Sequence, residues 1–594
     1  MAARVIRITM DATLYAMRHT MRILRRCGLL CVIFTFEVFA TVDAWAQATP
    51  AQVRIISKID SARTTLLRGN VHPLARSEYD QGEAQPEQPM RRMMLVLRRT
   101  GEQETALQQL LLDQQNKDSP KYHQWLTPED LGARFGPAYE DIQAVMHWLS
   151  SQGFSDIHAN HAHTIIEFSG TAAAVRQAFR TPIHHYRIDG KVYSANASDP
   201  QIPMALAPLV EGIVSLHNFP RQPYSRVAGV FQRDFKTGVI TKFSNAVQRS
   251  QGQRGAIANN GQTAAKPLYT FSNDGNTYYA IGPYDFATVY NLLPLWNAAA
   301  PIDGSNQTIA IVGETDIVPQ DFVTFRQDFG LPIGDTSGPT GSQYLNIIHN
   351  GPAPGITSKG EETESDLDTQ WAGAVAKGAT IDLVISASTE TAVGVDLSAE
   401  YIVDNNLAPI MSISYGECEF GLGTAGNAFY NSLYEQAAAQ GITVFTSSGD
   451  SGAAGCDPDT WPYARFGQQV SGLTSTPYNV SVGGTDFYMP GNASNYWNAT
   501  NSSATEASAK GYIPELAWNI SCADPVWPEK AAFAGMTPEQ VCNNFAAYDT
   551  LDNIVAAGGG GSSCTVSDGS NASTCSAPYP KPGCRVARAC RQTA

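Results

Sequence analysis

The chain has 594 residues, of which 43% are hydrophobic and 16% charged, and Asp plus Glu outnumber Lys plus Arg by 55 to 40, for a formal net charge of −15. That length exceeds what one compact core holds, so a single small domain is excluded. Residues 284–580 carry 6 Lys plus Arg against 32 Asp plus Glu, and so few cations exclude nucleic acid as a partner, because phosphate binding needs Lys and Arg.

The N-terminus reads as an export signal over residues 1–46. Arg18, Arg22, Arg25 and Arg26 precede an apolar run from Gly28 to Ala40, and Ala44-Trp45-Ala46 offers a small-x-small cleavage site before Gln47. Met10 and Met21 are alternative translation starts, and from Met21 the residues Arg22, Arg25 and Arg26 still precede the apolar run. A membrane anchor is the competing reading, but Glu37 interrupts the run and the segment is short for a span. No later segment is apolar for long enough to cross a bilayer, so no stable membrane anchor is expected.

Residues 48–219 read as a small α+β domain. Met94 to Leu97 is strand-like, Gln103 to Gln115 and Ile142 to Gln152 are helical, and Thr164 to Phe168 and His184 to Ile188 are strand-like again. From 220 to 283 the chain turns polar and aperiodic, a linker composition in which a processing site is expected. Charge divides the chain at the same place, since residues 1–283 carry 30 Lys plus Arg against 23 Asp plus Glu. An acidic second half loses its self-repulsion as carboxylates protonate, which suits a protein that works in acid.

Beyond Tyr284 strands and helices alternate. Thr308 to Val312, Thr380 to Ile385, Pro409 to Ser414, Ile442 to Thr446 and Asn479 to Val482 read as buried strands. Glu364 to Lys377, Ala392 to Asp404 and Ala428 to Gln440 read as the helices between them. That rhythm predicts an α/β fold, a mostly parallel sheet with helices on both faces. Met489 to Cys575 breaks it and reads as a surface insertion. Its cysteines, with Cys418 and Cys456, suit an oxidising compartment. Pairing Cys418 with Cys456, Cys522 with Cys542 and Cys564 with Cys575 is the expectation among the many that six cysteines allow. No CxxC pair or His cluster suggests zinc.

Two stretches carry chemistry. At about 100° per residue, Leu367, Asp368, Trp371, Ala374 and Val375 share the side of Glu364 on its helix, while Ser365, Asp366, Thr369, Gln370, Gly373 and Lys377 take the other. Two carboxylates one turn apart on an apolar face repel each other and lose hydration, so at least one should hold its proton unusually strongly. The second stretch is Ser448-Gly449-Asp450-Ser451-Gly452, directly after a strand. In open parallel sheets, chemistry gathers where strands end. A glycosidase built on the carboxylate pair is disfavoured, because such enzymes flank the bond with well-separated carboxyls.

Together with Ser412-Ile413-Ser414-Tyr415-Gly416, these residues resemble the sedolisins, the serine-carboxyl peptidases, and the resemblance implies a subtilisin-like fold. In that family a Glu and an Asp four residues later on one helix, an Asp in a Ser-Gly-Asp-Ser-Gly turn and a Ser in a Gly-Thr-Ser motif form the site. The resemblance makes Glu364 the general base, Asp368 the carboxylate that orients it, and Asp450 the protonated acid that donates to the oxyanion. Trp125 to Glu129, Phe168 to Thr171 and Tyr193 to Pro203 look like the family's activation prodomain, an intramolecular inhibitor. Val482-Gly483-Gly484-Thr485 looks like its peptidase domain.

By resemblance, then, the chain is a secreted, acid-acting proenzyme with protein or peptide substrates, its peptidase domain spanning 284–582. Calcium is expected for full-length members of the family, but the Asp-rich loop that would bind it is absent here, so no metal residue is assigned. No Gly-Thr-Ser follows Asp450, and residues 583–594, Gly583-Cys584-Arg585-Val586-Ala587-Arg588-Ala589-Cys590-Arg591 onward, read as an aberrant basic tail. The peptidase domain is therefore expected to be incomplete and the chain inactive for want of its nucleophile. The other reading is a non-catalytic secreted protein that keeps the scaffold to bind peptides or inhibit relatives.

Overall fold

The computed structural model describes residues 51–580 apart from 189, 215, 224–229, 234–239, 244–269, 274–275, 280, 458–463, 490–492, 525–532, 545–553 and 568–573. The expected signal peptide and the basic run 583–594 lie outside the described residues. None of the described helices is long and apolar enough to cross a membrane.

After two short strands, Thr64–Leu66 and Asp80–Glu83, the first group of elements continues with β1 (Pro89–Leu97), α1 (Gly101–Gln115), α2 (Pro128–Phe135) and α3 (Tyr139–Ser151). Next come β2 (Ser155–Ala159), β3 (Ile165–Thr171), α4 (Ala172–Phe179), the hairpin β4 (Ile183–Ile188) and β5 (Lys191–Asn196), and β6 (Val210–Val214). Helix starts follow local chemistry. The Thr100 hydroxyl accepts from the Gln103 amide while the Gln103 side chain accepts from the Thr100 amide, and Thr127 and Thr171 cap α2 and α4 in the same sense. An antiparallel sheet, ordered β2-β3-β1-β6, carries Leu95, Phe168 and Ile213 into a core with Val145 and Leu149 of α3 and Phe179 of α4.

The expected linker holds more structure than its composition suggested. A two-residue strand, β7 (Gln222–Pro223), pairs with a distant segment, and two antiparallel hairpins join Val230–Arg233 to Ile240–Phe243 and Thr270–Asn273 to Asn276–Tyr279. In the second, the sequence between the strands is Asp-Gly, a hairpin-turn signature.

The second group contains a six-stranded, wholly parallel sheet. In chain order its elements are β8 (Thr308–Gly313), α5 (Pro319–Asp328), β9 (Leu345–His349), α6 (Lys359–Val375), β10 (Thr380–Ile385), α7 (Gly394–Asp404) and β11 (Ile410–Ile413). The short β12 (Tyr415–Gly416), α8 (Glu419–Gln440), β13 (Thr443–Ser447) and β14 (Val480–Val482) complete it. The strand order is β9-β10-β8-β11-β13-β14. Alternation along β8 splits the faces: Ala310 and Val312 pack with α7 and α8, whereas Ile309 and Ile311 pack with Phe322 of α5 and Ala372 of α6. The fold class is α/β, as expected.

Three elements differ from expectation. Strand β9 was not anticipated; it is an edge strand whose Asn346 and His349 break the apolar run. Helix α6 starts at Lys359 rather than Glu364, because Ser358 caps it by accepting from the Glu361 amide. Its buried stripe is Ser365, Thr369 and Gly373 beside Glu364, while Leu367 is 39% exposed. Those small side chains let α6 approach Phe322, Arg326 and Ile381 closely. Helix α8 runs on from Glu419 through a kink at Gly423, whose φ of 65° and 2.5 Å clearance to the Gly69 carbonyl leave no room for a side chain.

The two groups share a core. Met94, Val96, Ile165 and Val214 pack in one cluster with residues of α7 and α8, so the antiparallel sheet lies on the helices that cover the parallel one. Charges complement each other along this contact: Arg91 pairs with Glu390, Arg99 with Glu435 and His161 with Asp404. The three disulfides among the described residues join the expected cysteines.

Candidate functional site

The candidate residues gather at the C-terminal end of the parallel sheet, where the neighbouring strands β11 and β13 end side by side. Ile413 is in register with Thr446, so Ser414 and the loop after Ser447 leave the sheet together. Glu364 is buried on α6, and Asp368 lies one turn further along the same helix. The Ser414 hydroxyl donates to Asp368 Oδ1 at 2.8 Å, while Asp368 Oδ2 is buried without a hydrogen bond among the described residues. Burial pushes the Asp368 carboxyl up to about 7, and the Ser414 bond works against that rise by favouring the ionised form.

More carboxylates crowd this end of α6. The Tyr415 hydroxyl donates to Glu361 Oε2 at 2.9 Å, and burial raises Glu361. Glu314, at the end of β8, accepts from Ser388 at 2.8 Å; burial, then the charge of Glu361, brings it up to about 7. Burial first, then Glu361, Glu314 and Glu364, hold the Tyr415 phenol well above its usual range, so Tyr415 stays a neutral donor between these acids. The pattern of residues singled out only Glu364 and Asp368. Glu314 and Glu361 are missed because sequence spacing does not show that β8 and the first turn of α6 end together.

Asp450 lies three residues past β13 in the Ser448 to Gly452 loop. A second segment threads along this loop: the Ala556 amide donates to the Asp450 carbonyl at 2.8 Å and the Gly558 amide to the Gly449 carbonyl at 2.6 Å. The Ser448 hydroxyl donates to the Gly558 carbonyl at 2.8 Å. The expected surface insertion therefore returns to the site. Its glycines are the signal that was overlooked, since a Cβ on Gly558 would lie 2.2 Å from the Ser448 carbonyl oxygen. Gly558→Ala should accordingly expel this segment and destabilise the fold by about 1–3 kcal/mol. Thermal unfolding of the variant beside wild type checks this, and an unchanged midpoint would contradict the threading.

Serines near the end of the described chain are committed elsewhere. The Ser562 hydroxyl donates to Glu419, which also accepts from the Ser563 and Cys564 amides, and the Tyr579 amide donates back to Ser562. One trio of carboxylates, Asp321 of α5 with Glu362 and Asp366 of α6, has oxygen atoms within 4.8 Å of one another. Burial and the two neighbours lift Asp366 to about 7. Grouped acids of this kind are common without an ion, so the trio is assigned no metal.

The family described as "Pro-kumamolisin, activation domain" matches residues 77–219. Sedolisin from Pseudomonas sp. is 27% identical over 425 residues, 70% of this chain and 60% of the relative. Kumamolisin from Bacillus sp. is 24% identical over 429 residues, 72% and 67% of the two chains. Human tripeptidyl-peptidase 1 is 24% identical over 432 residues, 69% and 64%. The chain thus spans about 60% of the length of the first of these relatives. A solved structure of the Pseudomonas sedolisin overlaps with a TM-score of 0.30 at 24% identity, covering 43% of this chain and 67% of that one. Nothing is drawn from so partial an overlap.

Proposed function

We propose that the chain, matched by the pro-kumamolisin activation-domain family over residues 77–219 and similar to sedolisin and kumamolisin, is the secreted precursor of an acid-acting serine-carboxyl peptidase of the sedolisin family. In this reading residues 1–46 direct export, 48–219 form the prodomain, 220–283 the linker that is cut, and 284–582 the peptidase domain. Glu364 takes the proton of a nucleophilic serine, Asp368 orients Glu364, and Asp450 in its protonated form donates to the oxyanion. The observation that carries the reading is the Ser414 bond that fixes Asp368 one helical turn from buried Glu364, beside the strand end that bears Asp450. A carboxylate base with a neutral carboxylic donor works only where one group is ionised and the other protonated, which suits acid rather than neutral pH.

The 594 residues contain no Gly-Thr-Ser after Asp450. A polypeptide of these residues alone is accordingly inactive, and a partner segment or continuation bearing that serine completes the site. Val480 and Val482 of β14 and Phe445 of β13 are 44%, 47% and 38% exposed. A sheet edge and face left this open accommodate a further packed element.

Ser414→Ala tests the first interaction directly. Removing the donor leaves both Asp368 oxygens buried and unbonded, so its titration midpoint should rise above about 7. Carboxyl-carbon NMR of aspartate-labelled protein reads this shift. A midpoint that falls or stays fixed would show that Ser414 does not hold the carboxylate.

A further inference from the structure

Arg221 lies two residues beyond the stretch matched by the activation-domain family, at the start of the linker. Its guanidinium is nevertheless enclosed: Nε donates to Asp396 Oδ1 at 3.0 Å and Nη2 to Oδ2 at 2.7 Å, and the two side chains are 2% and 1% exposed. The Tyr430 hydroxyl also donates to Asp396 Oδ1, so the carboxylate is held by α7 and oriented by α8. Both helices belong to the parallel-sheet unit, and the receptor for this guanidinium is therefore built without the linker. The next two residues, Gln222 and Pro223, pair antiparallel with Gly416 and Tyr415, directly after the Ser414 that holds Asp368. A segment laid on a strand by backbone pairing, with one side chain seated in a pocket, is how extended peptides are commonly bound.

We propose that Asp396 and Tyr430 form a subsite for the guanidinium of an arginine side chain in a peptide laid antiparallel on Tyr415–Gly416, and that Arg221 fills this subsite in cis. The inference rests on the peptidase reading above and names its substrate class: extended peptides with an arginine a few residues from the bond attacked. When the linker leaves, Asp396 is left as a buried carboxylate with only a phenol for company, and a lone buried charge is strongly disfavoured. The surrounding domain has few cations with which to satisfy it, 6 over residues 284–580. Arg221 Nη1 has no hydrogen bond among the described residues and borders a small cavity that reaches His72, His217, Gly421 and Gly423. The fit is thus set by the pocket's carboxylate rather than by a linker-specific network around every guanidinium nitrogen.

Binding of the tetrapeptide Arg-Gln-Pro-Tyr, the sequence of residues 221–224, tests this in the full chain. The probe is blocked at both ends and labelled, with Ala-Gln-Pro-Tyr as control, and anisotropy reads the affinity. Arg221→Ala should bind the arginine peptide about 100-fold more tightly than the alanine peptide, and Arg221→Ala/Asp396→Asn should lose that preference. Equal binding of the two peptides, no binding of either, or a preference that survives Asp396→Asn would each overturn the proposal. Should Arg221→Ala not fold, the same question is put to the unsubstituted chain cut at a specific protease site placed within residues 244–269. Excess arginine peptide should displace the labelled linker end and alanine peptide should not; failure to displace overturns the subsite. Because the readout is binding, loss of arginine selectivity in a chain that cleaves peptides when completed sinks only the subsite. Selectivity in a completed chain that never cleaves sinks only the peptidase reading.

Discussion

Glu364→Gln, in a chain continued after Pro582 by the serine-bearing segment of a full-length relative, is expected to lower peptide cleavage in acid by about three to four orders of magnitude. A glutamine cannot accept the serine proton, yet it keeps the volume of the buried Glu364 side chain, so folding is largely spared. Asp450→Ala should lose about 10²–10³-fold, the usual cost of one oxyanion donor. Asp450→Asn is the informative partner. Its amide donates at every pH, so the variant should retain more activity than Asp450→Ala and hold it to higher pH than the parent. If Asp450→Asn falls off with rising pH as the parent does, protonation of Asp450 is not what limits the reaction. Initial rates on a quenched peptide, measured across pH for the four chains, give all of these results.

Acid release of the activation domain is expected to depend on His217 more than on the ion pairs along the contact. Interface carboxylates lose their hold on Lys and Arg as they protonate, and Glu390 behaves so: its bond to Arg91, acting against burial, keeps it below its usual range. Two others act in the opposite sense. Burial lifts Glu435, beside Arg99, to about 7 and Glu400, beside Asp404, to about 8. A carboxylate that is easier to protonate when docked favours docking as pH falls. Asp404 likewise raises His161, whose contribution is present in acid and fades as pH rises.

His217 has the other sign. It is buried, its Nδ1 has no hydrogen bond among the described residues, and it faces His72 and Arg221, with Glu417 beyond His72. Burial first, then the neighbouring His72 and Arg221, holds it well below 6.5. Undocked and hydrated it would take a proton near 6.5, so docking weakens up to about tenfold for each pH unit below that value. In a chain cut within residues 244–269, the affinity between the two parts of His217→Gln should therefore lose its weakening between about pH 6.5 and 4.5. Glu435→Gln should make the weakening steeper. An unaltered pH profile in His217→Gln would move the switch elsewhere.

Much of this architecture is legible from residue pattern alone. Runs such as Thr380–Ile385 and Ile410–Ile413 are mostly apolar, as strands covered on both faces are, and Glu364, Asp368 and Asp450 stand out as acids near such runs. What the pattern hides is contact between distant elements. Leu367 looks like core on a helical wheel, but Ser365, Thr369 and Gly373 are buried instead, because α5 approaches α6 too closely for a large side chain. The return of Ala556–Gly558 to the Asp450 loop depends on backbone hydrogen bonds more than a hundred residues apart, which composition does not encode. By composition Arg221 is one polar residue of the linker, since nothing local reveals that Asp396 lies opposite it.

Cleavage of a peptide library at about pH 4 by a polypeptide of these 594 residues, with its Glu364→Gln variant alongside, tests the central claim most directly. A base, an orienting acid and an oxyanion donor without a nucleophile should leave both proteins without turnover, and adding the serine-bearing segment after Pro582 should give cleavage that Glu364→Gln removes. Glu364-dependent cleavage by the 594 residues alone would mean that a nucleophile is already present among them, and would contradict the assignment.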